Sequence, residues 1–282
     1  MTRLQSPRAA VIGFPVAHSR SPKIHGYWLD TLNLPGSYEA VRLTAAELPA
    51  FIGALGRRGY AGCNVTVPHK EAVLALCDSV TEGARAVGAV NTIWLEDGRV
   101  RGDNSDVFGF LANLDEAAPG WDGTADATLV LGAGGAARAV IYALLQRGMP
   151  HIYVANRTLE RAQALAGAFG PGVEALAWDR IGALLNAFGL VVNTTSLGMQ
   201  GQPPLALRIE SLPSYAIVCD IVYVPLETGL VVTTKALGLR AAGGLGMLLH
   251  QAVLGFQHWF GATPTVTPEL RALISADIPR RL

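Results

Sequence analysis

The sequence predicts an α/β protein of two domains, the first built on a mixed sheet and the second on a doubly wound parallel sheet. The chain has 282 residues, which is long for one compact domain and sufficient for two. Apolar residues make up 50% of it, so a large core is available. Beyond residue 105, short apolar runs alternate with amphipathic helical patterns, as in parallel sheets covered by helices.

The first domain, residues 1–105, is predicted from an alternation of strands and helices. Strands are expected at residues 9–13, 37–43, 62–67, 90–95 and 99–102. A helix is expected from Ser21 to about Leu32, with Pro22 suited to its first position. The last two strands are expected to form an antiparallel hairpin, because Asp97-Gly98 favours a tight turn. Helices in residues 245–282 are expected to complete this domain, which is therefore discontinuous.

The second domain, residues 106–244, is predicted to begin with a helix from Asp106 to about Glu116. Its strands are expected at residues 128–131, 152–155, 173–176, 190–193 and 217–221. Helical periodicity predicts helices at residues 136–147, 159–169 and 178–186. This order indicates a Rossmann-type fold, in which ligands bind at the carboxyl ends of the strands.

Composition argues against several classes of function. Lys plus Arg and Asp plus Glu each number 22, so no basic field favours nucleic acid. No apolar run reaches the roughly 18–20 residues of a bilayer span, and no signal peptide is recognisable. Cys63, Cys77 and Cys219 lack CxxC spacing and the histidines lack an HExxH pattern, so no metal is expected. A cytoplasmic protein acting on a small molecule, as a monomer or homodimer, is expected.

A glycine-rich turn marks a dinucleotide site. The apolar run 128–131 leads into Gly132, Ala133, Gly134, Gly135, Ala136 and Ala137, and a helical pattern follows. Such a turn lets backbone approach a pyrophosphate, which then lies over the helix N-terminus. A purely structural turn is the alternative, but the flanking strand and helix favour the dinucleotide.

The end of the next strand indicates which dinucleotide binds. It carries Asn156, Arg157 and Thr158, with Arg161 one turn later, where NAD-binding folds usually place an acidic residue. Guanidinium groups suit a 2′-phosphate, so NADP is predicted. Alternatively, Thr158 caps a helix whose arginines are merely solvated. The segment Asn193–Met199 follows another strand, and its hydroxyls, Thr195 included, either border the nicotinamide ribose or form a plain turn.

Lys70 and Asp106 form the candidate catalytic pair. Each ends a short polar stretch before the glycine turn, and a lysine–carboxylate couple supplies the proton that carbonyl reduction by a nicotinamide requires. Ser19 and Ser21 flank a helix start and suit a carboxylate, although Ser21 alternatively caps that helix. Asn64 and Thr66 project from one face of a strand, and residues 88–92 add another polar cluster.

Together these motifs closely resemble the shikimate dehydrogenase family over nearly the whole chain. The matching stretches, in order, are residues 19–22, 64–70, 88–92, 104–106, 132–137, 156–158, 193–199, 220–225 and 243–251. The resemblance implies NADPH-linked reduction of 3-dehydroshikimate to shikimate, on the route to chorismate and the aromatic amino acids. One departure concerns Val107, where the family usually has Gly after the aspartate; the added bulk lies beside Asp106.

The resemblance also implies roles for individual residues. Lys70 and Asp106 would flank the reacting oxygen. The substrate-binding set is Ser19, Ser21, Asn64, Thr66, Lys70, Asn91, Asp106, Tyr223 and Gln251. The cofactor-binding set is Gly132 to Ala136, Asn156, Arg157, Thr158, Arg161, Thr195, Ile221, Gly244 and Met247, with Glu82 as a further member that is equally a helix first-turn charge.

Other functions are compatible with part of this sequence pattern. A quinate/shikimate dehydrogenase of broader specificity, or an aminoshikimate relative, would share most of these residues. Methylenetetrahydrofolate dehydrogenase has a similar two-domain plan but would not explain Ser19–Pro22 and Gln251 together. A non-catalytic NADP-binding sensor would have no need of both Lys70 and Asp106. An assay with shikimate and then quinate separates these alternatives.

Overall fold

The computed structural model describes residues 6–281. It divides the chain into two compact units: unit 1 is Met1–Ser105 with Leu249–Ile274, and unit 2 is Asp106–Leu248 with Ser275–Leu282. Residues 275–281, which were expected with the first domain, group instead with unit 2. They are held there because the N–H groups of Leu226 and Glu227 donate to the carbonyls of Pro279 and Arg280, at 3.0 and 2.9 Å.

Unit 1 is built on a six-stranded mixed sheet in the order β2-β1-β3-β5-β6-β4. The strands are β1 Arg8–Gly13, β2 Ser37–Arg42, β3 Tyr60–Val65, β4 Ser79–Val80, β5 Thr92–Glu96 and β6 Arg99–Asp103. β1 pairs in parallel with β2 and β3, whereas β5 is antiparallel to β3 and β6. The predicted mixed sheet is confirmed. So is its hairpin: Asp97 and Gly98 have φ of 51° and 74°, as a tight two-residue turn requires.

Helices cover the unit 1 sheet. They are α1 Ser21–Thr31, α2 Leu48–Ile52, α3 Lys70–Leu74, α4 Glu82–Val87, most of α10 Gly244–Phe260, and α11 Pro268–Ser275. α10 lies close to β3 and β5, since Trp259 Nε1 donates to the Ile93 carbonyl at 2.9 Å. Gly62 permits this approach, because a Cβ there would lie 2.2 Å from the same indole nitrogen.

Unit 2 contains a six-stranded sheet in the order β12-β11-β10-β7-β8-β9, with every pairing parallel. The strands are β7 Ala127–Leu131, β8 His151–Ala155, β9 Val173–Leu176, β10 Leu190–Asn193, β11 Ile217–Asp220 and β12 Arg240–Gly243. The helices are α5 Asp106–Ala117, α6 Gly135–Gln146, α7 Leu159–Phe169, α8 Ile181–Leu184 and α9 Gly229–Ala236. Strand order reverses between β7 and β10, which is where a doubly wound sheet opens a ligand crevice.

Residues 178–186, predicted to be helical, form consecutive short helical pieces rather than one continuous α-helix. That segment forms a 3₁₀ turn at Trp178–Arg180, the short α8, and a second 3₁₀ turn at Leu185–Ala187. Asp, Gly and Asn are poor helix formers, and they occur here at positions 179, 182 and 186. Across residues 6–281, no helix has the length and apolarity that crossing a bilayer demands.

Candidate functional site

Ser19 and Ser21 lie in the turn that leads into α1. Ser21 is the first residue of the helix rather than its cap, so the capping alternative is wrong. Instead, the Ser21 N–H donates to Ser19 Oγ at 3.3 Å. The Ser21 hydroxyl is therefore not used to cap the helix.

Asn64, at the end of β3, is held from both sides of its amide. Its Oδ1 accepts a 2.6 Å hydrogen bond from the Tyr38 hydroxyl, and its Nδ2 donates to Thr92 Oγ1 at 3.2 Å. Asn64 is only 5% exposed, so these bonds fix its orientation. Tyr38 was not among the predicted site residues. Burial raises the pKa of its phenol well above the usual range, opposed by the Ser21 hydrogen bond, so it remains a neutral donor.

Asn91 connects three of the predicted motifs. Its Oδ1 accepts from the Ser105 N–H at 2.7 Å, and lies 3.1 Å from Ser105 Oγ and 3.0 Å from Thr92 Oγ1. Ser105 Oγ in turn lies 3.2 Å from Oε1 of Gln251 on α10. Residues far apart in sequence meet in one buried polar network.

Lys70 is the first residue of α3 and is half-buried. Its carbonyl accepts from Val90 N–H at 2.8 Å, which ties this helix to the strand segment carrying Asn91. Thr66 follows β3, and its N–H donates to the Ile12 carbonyl at 2.9 Å. Gly13 makes room for it, since a Cβ there would lie 2.4 Å from Thr66 Cγ2. Unit 1 therefore assembles its polar side chains around the carboxyl ends of β1 and β3.

His25 is a second unit 1 residue that the sequence argument did not find. It is fully buried one turn after Ser21, and its ring stacks on Tyr38 with centroids 4.0 Å apart. Within residues 6–281, neither ring nitrogen has a hydrogen-bond partner. Burial lowers the pKa of His25 to about 3, although the nearby Asn64 amide works in the opposite direction. The ring is therefore neutral and serves as part of the support beneath Tyr38.

Asp106 and Tyr223, also predicted to act on substrate, belong to unit 2. Asp106 begins α5 and is half-buried, with Val107 half-buried against the unit 2 core. The valine is thus accommodated by packing within unit 2. Tyr223 lies half-buried in the connection after β11, next to the cis peptide bond Val224-Pro225.

The glycine turn of unit 2 has the backbone that a dinucleotide site needs. Gly132 has φ of 107°, and a Cβ there would lie 2.7 Å from Thr194 Oγ1. Gly134 and Gly135 are exposed, and a Cβ at either would meet nothing within 4 Å, so both face open space at the start of α6. Free N–H groups at that helix start favour phosphate.

A cleft of about 920 Å³ lies within unit 2, lined in part by the segments that follow β8 and β10. Its lining includes every residue predicted to distinguish NADP from NAD: Asn156, Arg157, Thr158 and Arg161. Both arginines are exposed in it, and Asn156 Nδ2 donates to the Thr158 carbonyl at 2.9 Å. Thr158 precedes α7, but its side chain makes no capping hydrogen bond. The cleft has the size and the cationic groups that a phosphorylated adenosine requires.

Thr195 lines the same cleft, on the loop that follows β10. Asn193 organises this loop: its Oδ1 accepts from Thr195 N–H at 3.0 Å and from Thr195 Oγ1 at 2.7 Å. The Asn193 amide nitrogen donates to Asp220, which is fully buried. Burial raises the pKa of Asp220, and hydrogen bonds from Thr228, Val222 and Asn193 counteract that rise.

The remaining predicted cofactor residues differ in their surroundings. Gly244 lies against the backbone of Ile221, since a Cβ at Gly244 would lie 2.1 Å from the Ile221 carbonyl oxygen. Met247 is 8% exposed and packs into the unit 2 core. Glu82 is exposed in the first turn of α4, in unit 1, where its charge favours the helix dipole.

Within the described part of the chain, no group of three His, Cys, Asp or Glu side chains is arranged to hold a metal ion. Cys63, Cys77 and Cys219 are free thiols, and burial raises the pKa of each. Buried thiols of raised pKa are poor nucleophiles.

Comparison with known proteins identifies the family. Three family models match: the shikimate dehydrogenase substrate binding domain at residues 11–93, shikimate/quinate 5-dehydrogenase at residues 119–200, and the shikimate 5′-dehydrogenase C-terminal domain at residues 244–268. Shikimate dehydrogenase (NADP(+)) of Methylobacterium radiotolerans is 56% identical over 97% of this chain and 98% of its own length.

Two solved structures are also similar. The Thermus thermophilus shikimate 5-dehydrogenase, in complex with NADP(H) and shikimate, gives a TM-score of 0.84 at 39% identity, covering 96% of this chain and 98% of that one. Quinate dehydrogenase of Corynebacterium glutamicum, in complex with NAD, gives 0.87 at 33% identity, covering 96% and 99%. Fold and site define a Rossmann-type oxidoreductase with a separate α/β unit. The chain belongs to the shikimate dehydrogenase family.

Proposed function

We propose that this protein catalyses the reversible NADPH-dependent reduction of 3-dehydroshikimate to shikimate, a step toward chorismate and the aromatic amino acids. The observation that carries the proposal is the buried network of Asn64, Asn91, Ser105 and Gln251 in unit 1. Four of the family motifs contribute to this network, and a relative with 56% identity over nearly the whole chain is an NADP(+) shikimate dehydrogenase.

Unit 1 binds the substrate in this proposal. Ser19 and Ser21 donate hydroxyl hydrogen bonds to the carboxylate, an anion that suits the start of a helix. The ring hydroxyls are held by Asn64, Asn91, Thr66 and Gln251, with Tyr223 as a further carboxylate contact. A buried, fully oriented amide network suits this task, because a misplaced hydroxyl would leave buried polar groups unpaired.

Lys70 and Asp106 carry the proton transfer. In reduction, negative charge develops on the ketone oxygen, and the Lys70 ammonium stabilises it and donates a proton. Asp106 orients the substrate hydroxyl. In oxidation, neutral Lys70 accepts the proton from the hydroxyl.

The residues of unit 2 fit NADP. Bound NADPH supplies the hydride. The backbone of Gly132 to Ala136 receives the pyrophosphate, and Arg157, Thr158 and Arg161 bind the 2′-phosphate in the 920 Å³ cleft. Asn156 holds the adenosine ribose, while Thr195, Ile221, Gly244 and Met247 border the nicotinamide half. Glu82 remains a proposed contact for the same cofactor.

A second candidate is a quinate/shikimate dehydrogenase of broader specificity, favoured by the structural similarity to the Corynebacterium glutamicum enzyme. The two candidates are separated by steady-state rates of NADP+ or NAD+ reduction with shikimate and with quinate. We expect kcat/KM to be highest for shikimate with NADP+, by about 100-fold or more over quinate or NAD+. Comparable values for quinate would establish the broader enzyme, and no turnover of either would overturn the proposal.

We also propose that the protein works in the cytoplasm as a monomer or homodimer. The free thiols of Cys63, Cys77 and Cys219 are compatible with a reducing compartment. Sedimentation equilibrium of the purified chain tests the assembly, and a mass above that of two chains would contradict it.

A further inference from the structure

Asp220 is a buried carboxylate whose hydrogen bonds lead toward the cofactor cleft. It ends β11 with no solvent exposure. Its Oδ1 accepts from Asn193 Nδ2 at 3.0 Å and from Val222 N–H at 3.1 Å, and its Oδ2 accepts from Thr228 Oγ1 at 2.6 Å. Burying an ionised carboxylate is costly even when it is fully hydrogen-bonded. An apolar residue here would leave the donor groups of Asn193, Val222 and Thr228 unpaired, so the position requires an acceptor.

The acceptor at position 220 determines the orientation of the Asn193 amide. An amide offers donors on one side and an acceptor on the other, so its neighbours decide which way it points. Asp220 only accepts, and therefore holds Nδ2 of Asn193 toward itself. Oδ1 of Asn193 must then face Thr195, where it accepts from the N–H at 3.0 Å and from the hydroxyl at 2.7 Å.

The same orientation of the Asn193 amide also determines the hydrogen bonds of the following loop residues. Asn193 Nδ2 also donates to the Leu197 carbonyl at 3.2 Å, and Thr195 Oγ1 accepts from Leu197 N–H at 3.1 Å. Turning the amide over would bring N–H against N–H at Thr195 and oxygen against oxygen at Asp220 and Leu197. The loop conformation is therefore compatible with a single orientation of Asn193.

This loop forms one wall of the cofactor cleft. Thr195 and Leu197 line the cleft together with Arg157. The loop also meets the glycine turn, because a Cβ at Gly132 would lie 3.2 Å from Thr195 Cγ2. A displaced loop would alter the cleft and the turn at once.

We propose that Asp220 is a positioning residue for NADP(H) binding, acting through Asn193 on the loop at Thr195–Leu197. The inference rests on the proposed function, since it takes the unit 2 cleft as the NADP(H) site. Asp220 itself touches neither substrate nor cofactor.

The test is the affinity for NADPH of Asp220→Asn, measured by fluorescence titration, together with the KM for 3-dehydroshikimate at saturating NADPH. An amide at position 220 offers one neutral acceptor oxygen in place of two charged ones, so it holds Nδ2 of Asn193 less strongly. We expect the Kd for NADPH to rise about tenfold, as for the loss of one or two oriented hydrogen bonds, while the KM for 3-dehydroshikimate stays within about twofold.

A reversed pair provides a rescue that a merely structural role would not produce. In Asn193→Asp combined with Asp220→Asn, the carboxylate at 193 still accepts from Thr195 and the amide at 220 donates to it. We expect this pair to recover at least about half of the lost binding free energy, and no recovery would overturn the proposal. Full recovery is not expected, because the Leu197 carbonyl loses its donor and the Val222 N–H loses its acceptor.

The control is Thr234→Val, which removes a different buried hydroxyl of unit 2, one that donates to the Leu230 carbonyl at 2.7 Å. It should leave NADPH affinity unchanged. An unchanged Kd in folded Asp220→Asn overturns the role of Asp220, whereas failure of the wild type to bind NADPH overturns the proposed function.

If Asp220→Asn does not fold, the reversed pair is compared with the wild type. Folding with a Kd for NADPH within about threefold of the wild type supports the proposal, and misfolding or a larger loss of affinity overturns it.

Discussion

The hydroxyl of Tyr38 donates a 2.6 Å hydrogen bond to Oδ1 of Asn64 and so determines which way that amide faces. With its oxygen engaged, Asn64 turns Nδ2 toward Thr92 Oγ1 and the Asn91 carbonyl, at 3.2 and 3.3 Å. Tyr38 is held in turn by stacking on His25. The orientation of a substrate-binding amide is thus set from β2, a strand on which no substrate residue was predicted.

Replacing Tyr38 by Phe should weaken substrate binding more than catalysis. The substitution keeps the ring and removes the hydroxyl, so Asn64 Oδ1 loses its donor. We expect the KM for shikimate to rise roughly 5- to 10-fold, equivalent to about one hydrogen bond, with kcat changed less than about threefold. Steady-state kinetics with shikimate varied at saturating NADP+ measures both.

Tyr60→Phe is the matched control, because the Tyr60 hydroxyl donates to Glu39 at 2.8 Å and to none of the proposed substrate residues. Its kinetic constants should match the wild type. Equal KM increases in the two variants would mean that any lost tyrosine hydroxyl in unit 1 disturbs the site, contrary to the role given to Tyr38.

Removing the ammonium group in Lys70→Ala should reduce kcat by roughly 10²–10⁴ and leave KM nearly unchanged. This pattern is typical of a lost proton donor and acceptor rather than a lost binding contact. The measurement is the rate of NADP+ reduction at saturating shikimate. Lys23→Ala, which removes an exposed lysine of α1, should retain full activity. Near-normal turnover of Lys70→Ala would reject the proposed acid–base role.

Arg157→Ala should discriminate between the two nicotinamide cofactors. Its guanidinium lines the cleft where the 2′-phosphate of NADP is proposed to bind. We expect KM for NADP+ to rise about 10- to 100-fold, since charge-assisted hydrogen bonds are among the stronger ones, while activity with NAD+ changes little. Arg180→Ala, at an exposed position that does not line the cleft, should affect neither cofactor. Equal losses with both cofactors would show that Arg157 does not read the phosphate.

Local patterns in the sequence were sufficient for most of the fold. α7 was predicted with its observed ends, Leu159–Phe169, because apolar residues repeat at the helical period between polar turns. The parallel strands of unit 2 were found from short apolar runs, since both faces of such strands are buried. β12 at Arg240–Gly243 was missed: its sequence, Arg-Ala-Ala-Gly, has weak strand propensity, and pairing with β11 determines its conformation.

The site was predicted where its residues form local motifs and missed where they depend on tertiary contacts. Asn64, Asn91 and Ser105 each lie in a recognisable polar stretch. Tyr38 and His25 do not, and only folding brings the Tyr38 hydroxyl to Asn64 and the His25 ring beneath it. The role of Asp220 likewise depends on parallel pairing of β10 with β11, which places Asn193 opposite Asp220.

His25 should make stability fall at acidic pH. Burial lowers its folded-state pKa from 6.5 to about 3, so between these values the unfolded chain binds a proton that the folded protein excludes. The contribution of His25 to the free energy of unfolding is therefore complete above pH 6.5 and declines as pH falls toward 3. The slope from one such group is up to about 1.4 kcal/mol per pH unit.

The measurement is urea denaturation of the wild type and His25→Phe across this pH range. Phe keeps an aromatic ring among Tyr38, Trp28 and Phe256 and removes the titrating group. The difference in unfolding free energy, wild type minus variant, should decrease steadily below about pH 6. Other titrating groups, including Asp220 with its raised pKa, are common to both proteins and cancel. A pH-independent difference for His25→Phe would mean that His25 can bind a proton in the folded protein. The assignment of His25 as a buried neutral ring beneath Tyr38 would then be wrong.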